Sequence, residues 1–238
     1  MTEAEWLACA DPRPMLTFLL RGRVNDKKLR LFACACCRRV WHLLDDDRSK
    51  RAVEVAEQYV DGTASLSELL RAYRESAQVL GDAARAATMA ADAAYSADYT
   101  VSSAARGAAW AAVDKGGLAK AIAQDDLASG GEERSDYSWR LLAKAVVEKE
   151  QASVFRDIFG NSFRPVSVHN SSWVAWNDGA IPKMAQVIYD DRAFNRLPLL
   201  ADALEDAGCD DADILSHCRT PGEHVRGCWV VDLLLGKS

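Results

Sequence analysis

The segment "DAARAATMAADAAYSADYTVSSAARGAAWAAV", residues 82–113, decides the fold class of this 238-residue chain. Half of the 30 residues from Ala83 to Ala112 are alanine, the best helix former because it gives up no side-chain entropy on entering a helix. Ala83, Ala87, Ala90, Ala94, Ala97, Val101, Ala104 and Ala108 recur at alternating steps of four and three, which places them on one helical seam. Side chains this small let a second helix approach toward the lower end of about 8–10 Å between axes. The seam predicts a long Ala-rich helix whose mate is a later helix between Asp136 and Phe159. A homo-oligomer formed through the same seam is the alternative.

The flanking sequence is punctuated as helices are. Thr2 with Glu5, and Ser65 with Glu68, have capping-box spacing. Asp11 before Pro12 is an N-cap followed by a first-turn proline. Asn25 precedes Leu29, Phe32, Cys36, Val40 and Leu43, spaced at three and four residues, so a helix is expected from about Asn25 to the "DDD" at 45–47. Asp47 is expected to cap the next helix, to Tyr59. Residues 161–179, "NSFRPVSVHNSSWVAWNDG", carry no helical period and read as a long loop with a short extended piece at Phe163–Val168. Short helices are then expected over Ala180–Asp190, Arg196–Ala207 and Asp211–Arg219, with a last one from about Glu223 to Leu235. The fold class is therefore all-α: a helical bundle over 1–160 and a smaller C-terminal helical unit over 161–238.

Composition sets the outer bounds. Apolar residues are 49% and charged residues 27%, a globular balance. No apolar run reaches the roughly 18 residues of a membrane span, and "MTEAEWLACA" has glutamates where a signal peptide has basic residues. A cytoplasmic protein with free thiols at its seven cysteines is expected. The net charge of −6 is uneven: residues 1–51 carry +4 and the rest −10. Lys27, Lys28, Arg30, Arg38 and Arg39 form a basic stripe. It reads first as a solvated helix face; the sharper reading is contact with an acidic surface, its own or a partner's, ahead of nucleic acid given a pI near 5.3.

"HCRTPGEHVRGCWVVDLLLG", residues 217–236, concentrates the chain's metal-type and nucleophilic side chains. With Cys209 upstream it offers C-x7-H-C-x5-H-x3-C, so Cys209, Cys218 (or His217), His224 and Cys228 could form a tetrahedral zinc site. It contains no CxxC knuckle, and each cysteine also suits a buried apolar position. The favoured reading is no cofactor, with Cys228, Val231 and Leu235 on the buried face of the last helix and Trp229 and Leu233 widening it. Arg226 and Asp232 are then expected at its edge, and His224 at its start. Cys34, Cys36 and Cys37, near His42, read as core. As catalysis, His217 and Cys218 are helix neighbours whose side chains diverge. P-loop, dinucleotide, H-E-x-x-H and G-x-S-x-G motifs are all missing from the sequence. Were there a catalytic cleft, His169, Asp178, His217 and His224 are its candidates.

The two ends, "EWLACADPRPMLTFL…KKLRLFACACCRRVWHLL" and "FRDIFGNSFRPV…RLPLLADALEDAGCDDADILSHCRTPGEHVRGCWVVDLLLGK", resemble a large family of paralogous planctomycete-type bacterial proteins. The likeness spans about residues 2–44 and 153–237. It implies a cytoplasmic protein and carries over no catalytic residue. Together these readings predict a non-enzymatic protein-interaction or scaffold module, with Trp173, Trp176 and the basic stripe as contact residues. The alternatives are an enzyme or zinc-stabilised domain using the C-terminal Cys/His cluster, and a nucleic-acid binder using the basic helix.

Overall fold

The computed structural model of the protein describes residues 1–22, 24–91, 97–114, 135–166, 173 and 175–237. Among the described residues are twelve α-helices and no strand. The all-α expectation holds. The chain divides into two compact units, Met1–Ser153 and Val154–Ser238. This division falls seven residues before the expected one at 160/161, inside a helix whose last turn goes with the residues that follow.

The first unit contains α1 (Glu3–Ala8), α2 (Pro12–Leu19), α3 (Asp26–Arg39), α4 (Asp47–Val60), α5 (Leu66–Ser76), α6 (Asp82–Ala91), α7 (Ala97–Asp114) and most of α8 (Asp136–Phe159). Both capping boxes form, at Thr2/Glu5 and Ser65/Glu68, and Asn25 caps α3 through the Lys27 N–H. Helix α3 stops at Arg39, with a 3-10 turn over Trp41–Leu43, and Asp46 rather than Asp47 caps α4. Helix α3 is the centre of the bundle and packs on α4, α6 and α7. Leu29, Leu31, Phe32, Cys34, Cys36 and Cys37 are all buried, so the CACC thiols are core, as expected.

The Ala-rich stretch is two helices that pack on each other, α6 and α7, rather than one long helix. Ala83, Ala87, Ala90, Ala104 and Ala108 are buried, as the seam predicts. Ala94 and the side chains of Ala97 and Val101 lie outside the described residues. The helices approach closely at Gly107, where a Cβ would sit 2.9 Å from the Asp82 carbonyl oxygen. The expected mate, α8, also touches α7: the Gln151 side-chain amide donates to the Ala105 carbonyl at 2.9 Å.

The second unit holds the last turn of α8, then α9 (Ala180–Asp191), α10 (Leu197–Asp206), α11 (Ala212–Arg219) and α12 (Trp229–Leu235). Helices α9, α10 and α11 match expectation to within a residue or two. Helix α9 packs on α10 and α12, and α10 on α11. Ile181, Ile188, Leu197, Leu200, Leu204, Ile214, Val230 and Val231 form much of their common core, with Cys209, Cys218 and Cys228 as small apolar fillers among them. Helix α12 begins six residues later than expected. Gly227, at φ +93°, adopts a left-handed conformation that no helix interior accommodates, and Cys228 becomes the N-cap. Cys228 and Val231 are buried as expected, but Asp232 is buried too, not at the helix edge.

Candidate functional site

Asp157 lies in the last turn of α8, within "VFRDIFG" (154–160), and its residue is only 4% exposed. A carboxylate is doubly disfavoured there. Burial opposes its charge, and the carbonyl end of a helix adds negative potential. Its partners come from far along the chain. His224 Nδ1 lies 2.6 Å from Asp157 Oδ1, His217 Nε2 lies 3.1 Å from the same oxygen, and the Val225 N–H donates to Oδ2 at 2.9 Å. His217 Nε2 is also 3.2 Å from Cys228 Sγ. One donor atom from each of Asp157, His217, His224 and Cys228 thus lies within 4.8 Å of every other.

Local structure explains why these four meet. His217 lies in the last turn of α11, where a cationic or polar side chain suits the exposed carbonyls. Segment 220–228 contains no helix, and the Val225–Cys228 backbone bond at 3.0 Å, with Gly227 left-handed, folds His224 and Cys228 back toward it. The rings of His217 and His224 meet edge to face at 4.8 Å, and Trp229 lies 5.1 Å from His217. The cluster is enclosed: the histidine side chains are 17% and 12% exposed, and Cys228 is fully buried.

Burial alone would raise the Asp157 carboxyl. The bonds from His217 and His224 outweigh it and hold the group below the usual carboxylate range. Burial, reinforced by the Asp157 charge, pushes the Cys228 thiol well above its ordinary value. A cysteine–histidine–carboxylate relay needs its carboxylate on the ring nitrogen opposite the nucleophile. Here Asp157 and Cys228 both approach the same nitrogen, Nε2 of His217. The geometry is one of convergence on a point, not of relay.

The structure sorts the sequence candidates. Of the suggested set Cys209, Cys218, His224 and Cys228, only His224 and Cys228 belong to the cluster. Cys209 and Cys218 line the apolar core, and burial pushes Cys218 up to about 12. Consecutive residues on a helix diverge, so when His217 faces the cluster, Cys218 faces the core. His224 does not cap α12; it binds Asp157. His169 lies outside the described residues. Asp178 is exposed with a left-handed backbone, and its carbonyl accepts from Lys183, so it takes no part in the cluster. Asp157 was missed because the sequence boundary was drawn after it. Its signal was an acid in the last turn of a helix, between the apolar residues Phe155 and Ile158.

The expected contact residues are also partly reassigned. Trp173 is buried in the core of its unit, not available as a contact, and Trp176 packs partly against that core. In the basic stripe, Arg30 donates to the Ala90 carbonyl at 2.8 Å, Arg38 binds Glu57 through two bonds of 3.1 and 2.7 Å, and Arg39 pairs with Glu150. Three of the five cations are thus engaged within the protein, so the stripe is not an open phosphate-binding row. In the acidic remainder of the chain, Arg219 pairs with Asp202 and Glu205. No family model, curated protein or solved structure matches the chain. No described helix is long and apolar enough to cross a membrane.

Proposed function

We propose that the protein is a non-enzymatic interaction or scaffold module whose C-terminal unit is braced by the Asp157–His217–His224–Cys228 cluster. The observation that carries the non-enzymatic half is the convergence of Asp157 and Cys228 on one nitrogen of His217, around a fully buried thiol. A nucleophile needs a thiolate, a base and a path for substrate. Cys228 is sealed from solvent, and burial favours its neutral form.

Support for the interaction half comes from α8. Tyr137, Leu141, Leu142 and Val146 are all exposed there, the first and third to 66% and 38%. At about 100° per residue they cover roughly half the circumference of three turns. Apolar exposure of that extent on one element is a docking feature rather than scattered surface leucine. The test is alkylation of the folded full-length chain by iodoacetamide, with the partly exposed Cys9 as internal reference. Cys228 is expected to react far more slowly than Cys9. A Cys228 that outpaces Cys9, and loses that advantage in His217→Gln, would contradict the non-enzymatic reading. For the interaction half, a photo-crosslinking residue at Leu141 should give discrete protein adducts that Val146→Asp abolishes. A lack of adducts would contradict it.

A further inference from the structure

We propose that Asp157, His217, His224 and Cys228 are the four ligands of a closed zinc site. The geometry is that of a ligand set. Zinc–ligand bonds of 2.0–2.3 Å arranged tetrahedrally give edges of about 3.3–3.6 Å between donors. The three measured donor pairs are 2.6, 3.1 and 3.2 Å apart, and every pair is within 4.8 Å. To hold an ion the closest pair would separate, and the widest draw in, by about 1 Å each.

Charge points the same way. Asp157 is buried at a helix C-terminus, and its side chain meets two imidazoles and a backbone N–H, with no lysine or arginine among the described residues. A buried carboxylate is stable only when compensated. A divalent ion does so fully: two neutral imidazoles, one carboxylate and one thiolate around Zn²⁺ sum to zero charge. On binding, the sulfur–zinc bond forms, and the Cys228 proton leaves to solvent.

The donor types choose the metal. Thiolate and imidazole exclude calcium and magnesium, which take oxygen ligands. Four protein donors in an enclosed pocket, with no position left for water, describe a structural zinc site rather than a hydrolytic one. Its ligands also span 67 residues between Asp157 and His224, so the ion ties the end of α8 to segment 217–228.

The test uses the purified full-length chain. Elemental analysis after dialysis should find about one zinc per chain. Cobalt(II) exchanged into the site should show intense tetrahedral d–d bands and a thiolate-to-cobalt charge-transfer band. Cys228→Ser and Asp157→Asn should each weaken zinc binding by more than the roughly 10–100-fold typical of losing an outer-sphere partner. Cys218→Ser, one residue from a ligand but in the core, should keep the zinc. If a ligand variant does not fold, the cobalt spectrum of the wild-type chain decides alone. Folded protein with neither zinc nor tetrahedral cobalt bands would overturn the proposal, leaving protonated histidine as the compensating charge. So would folded ligand variants that retain zinc as the wild type does.

Discussion

The two units solve the same problem with opposite materials. The first is built on small residues: Ala86, Ala87, Ala90, Ala104 and Ala108 are buried where α6 and α7 meet, and Gly107 touches the Asp82 backbone. The second packs larger aliphatics and adds a buried polar cluster of a carboxylate, two imidazoles and a thiol that shares Cys228 with that core. Small-residue packing depends on volume and is broken by an added methyl group. Polar bracing depends on completeness and is broken by the loss of one partner. The comparison teaches that the units should fail in different ways.

The largest effect is expected in the second unit. Asp157→Ala removes the hub of the cluster, strands the Val225 N–H and leaves both histidines without their carboxylate. It should destabilise this unit by about 3–5 kcal/mol, read as an early transition in thermal unfolding while the first unit melts as before. A single unchanged transition would mean the cluster contributes nothing to folding.

Next comes overpacking in the first unit. Ala90→Leu should cost about 1–3 kcal/mol because the added atoms meet close-packed helix. Gly107→Ala should destabilise as well, despite alanine's better helix propensity, because the Asp82 carbonyl is backbone and cannot swing aside. Denaturant titrations of both variants check this. Stability equal to wild type for both would place the seam on a loose surface.

The smallest effect sharpens the contrast within one unit. Cys218→Ala deletes a buried sulfur from apolar core and should cost about 1 kcal/mol, an ordinary small-cavity penalty, with no dependence on chelator. Cys228→Ala deletes the same atom from the cluster. Its penalty should be larger in zinc-replete buffer and shrink when a chelator is present, measured by unfolding in the two buffers. Equal penalties under both conditions would make the two cysteines equivalent.

Much of the first unit was legible in the sequence because its determinants are local. Capping boxes act over three residues, and the alanine seam repeats within a turn. The break into α6 and α7 was not legible, since alanine favours helix at every position and marks no stop. In the second unit the apolar register of Val231 and the core role of Cys218 were readable from spacing. The start of α12 differs from the expected Glu223 because Gly227 takes a left-handed backbone that forms a turn. The candidate site was half visible. His224 and Cys228 stand four residues apart and invite pairing, but Asp157 lies 67 residues before His224, and no local period connects them. Its one signal in the sequence, an acid in the last turn of a helix between apolar residues, is too weak to single it out.

The most direct test of the four-donor cluster is X-ray absorption at the zinc K-edge of the full-length protein. The geometry predicts one sulfur at about 2.3 Å and three nitrogen or oxygen donors at about 2.0–2.1 Å, with imidazole scattering from two histidines. A shell of three or four sulfurs, a shell without sulfur, or protein carrying no zinc at all would contradict it.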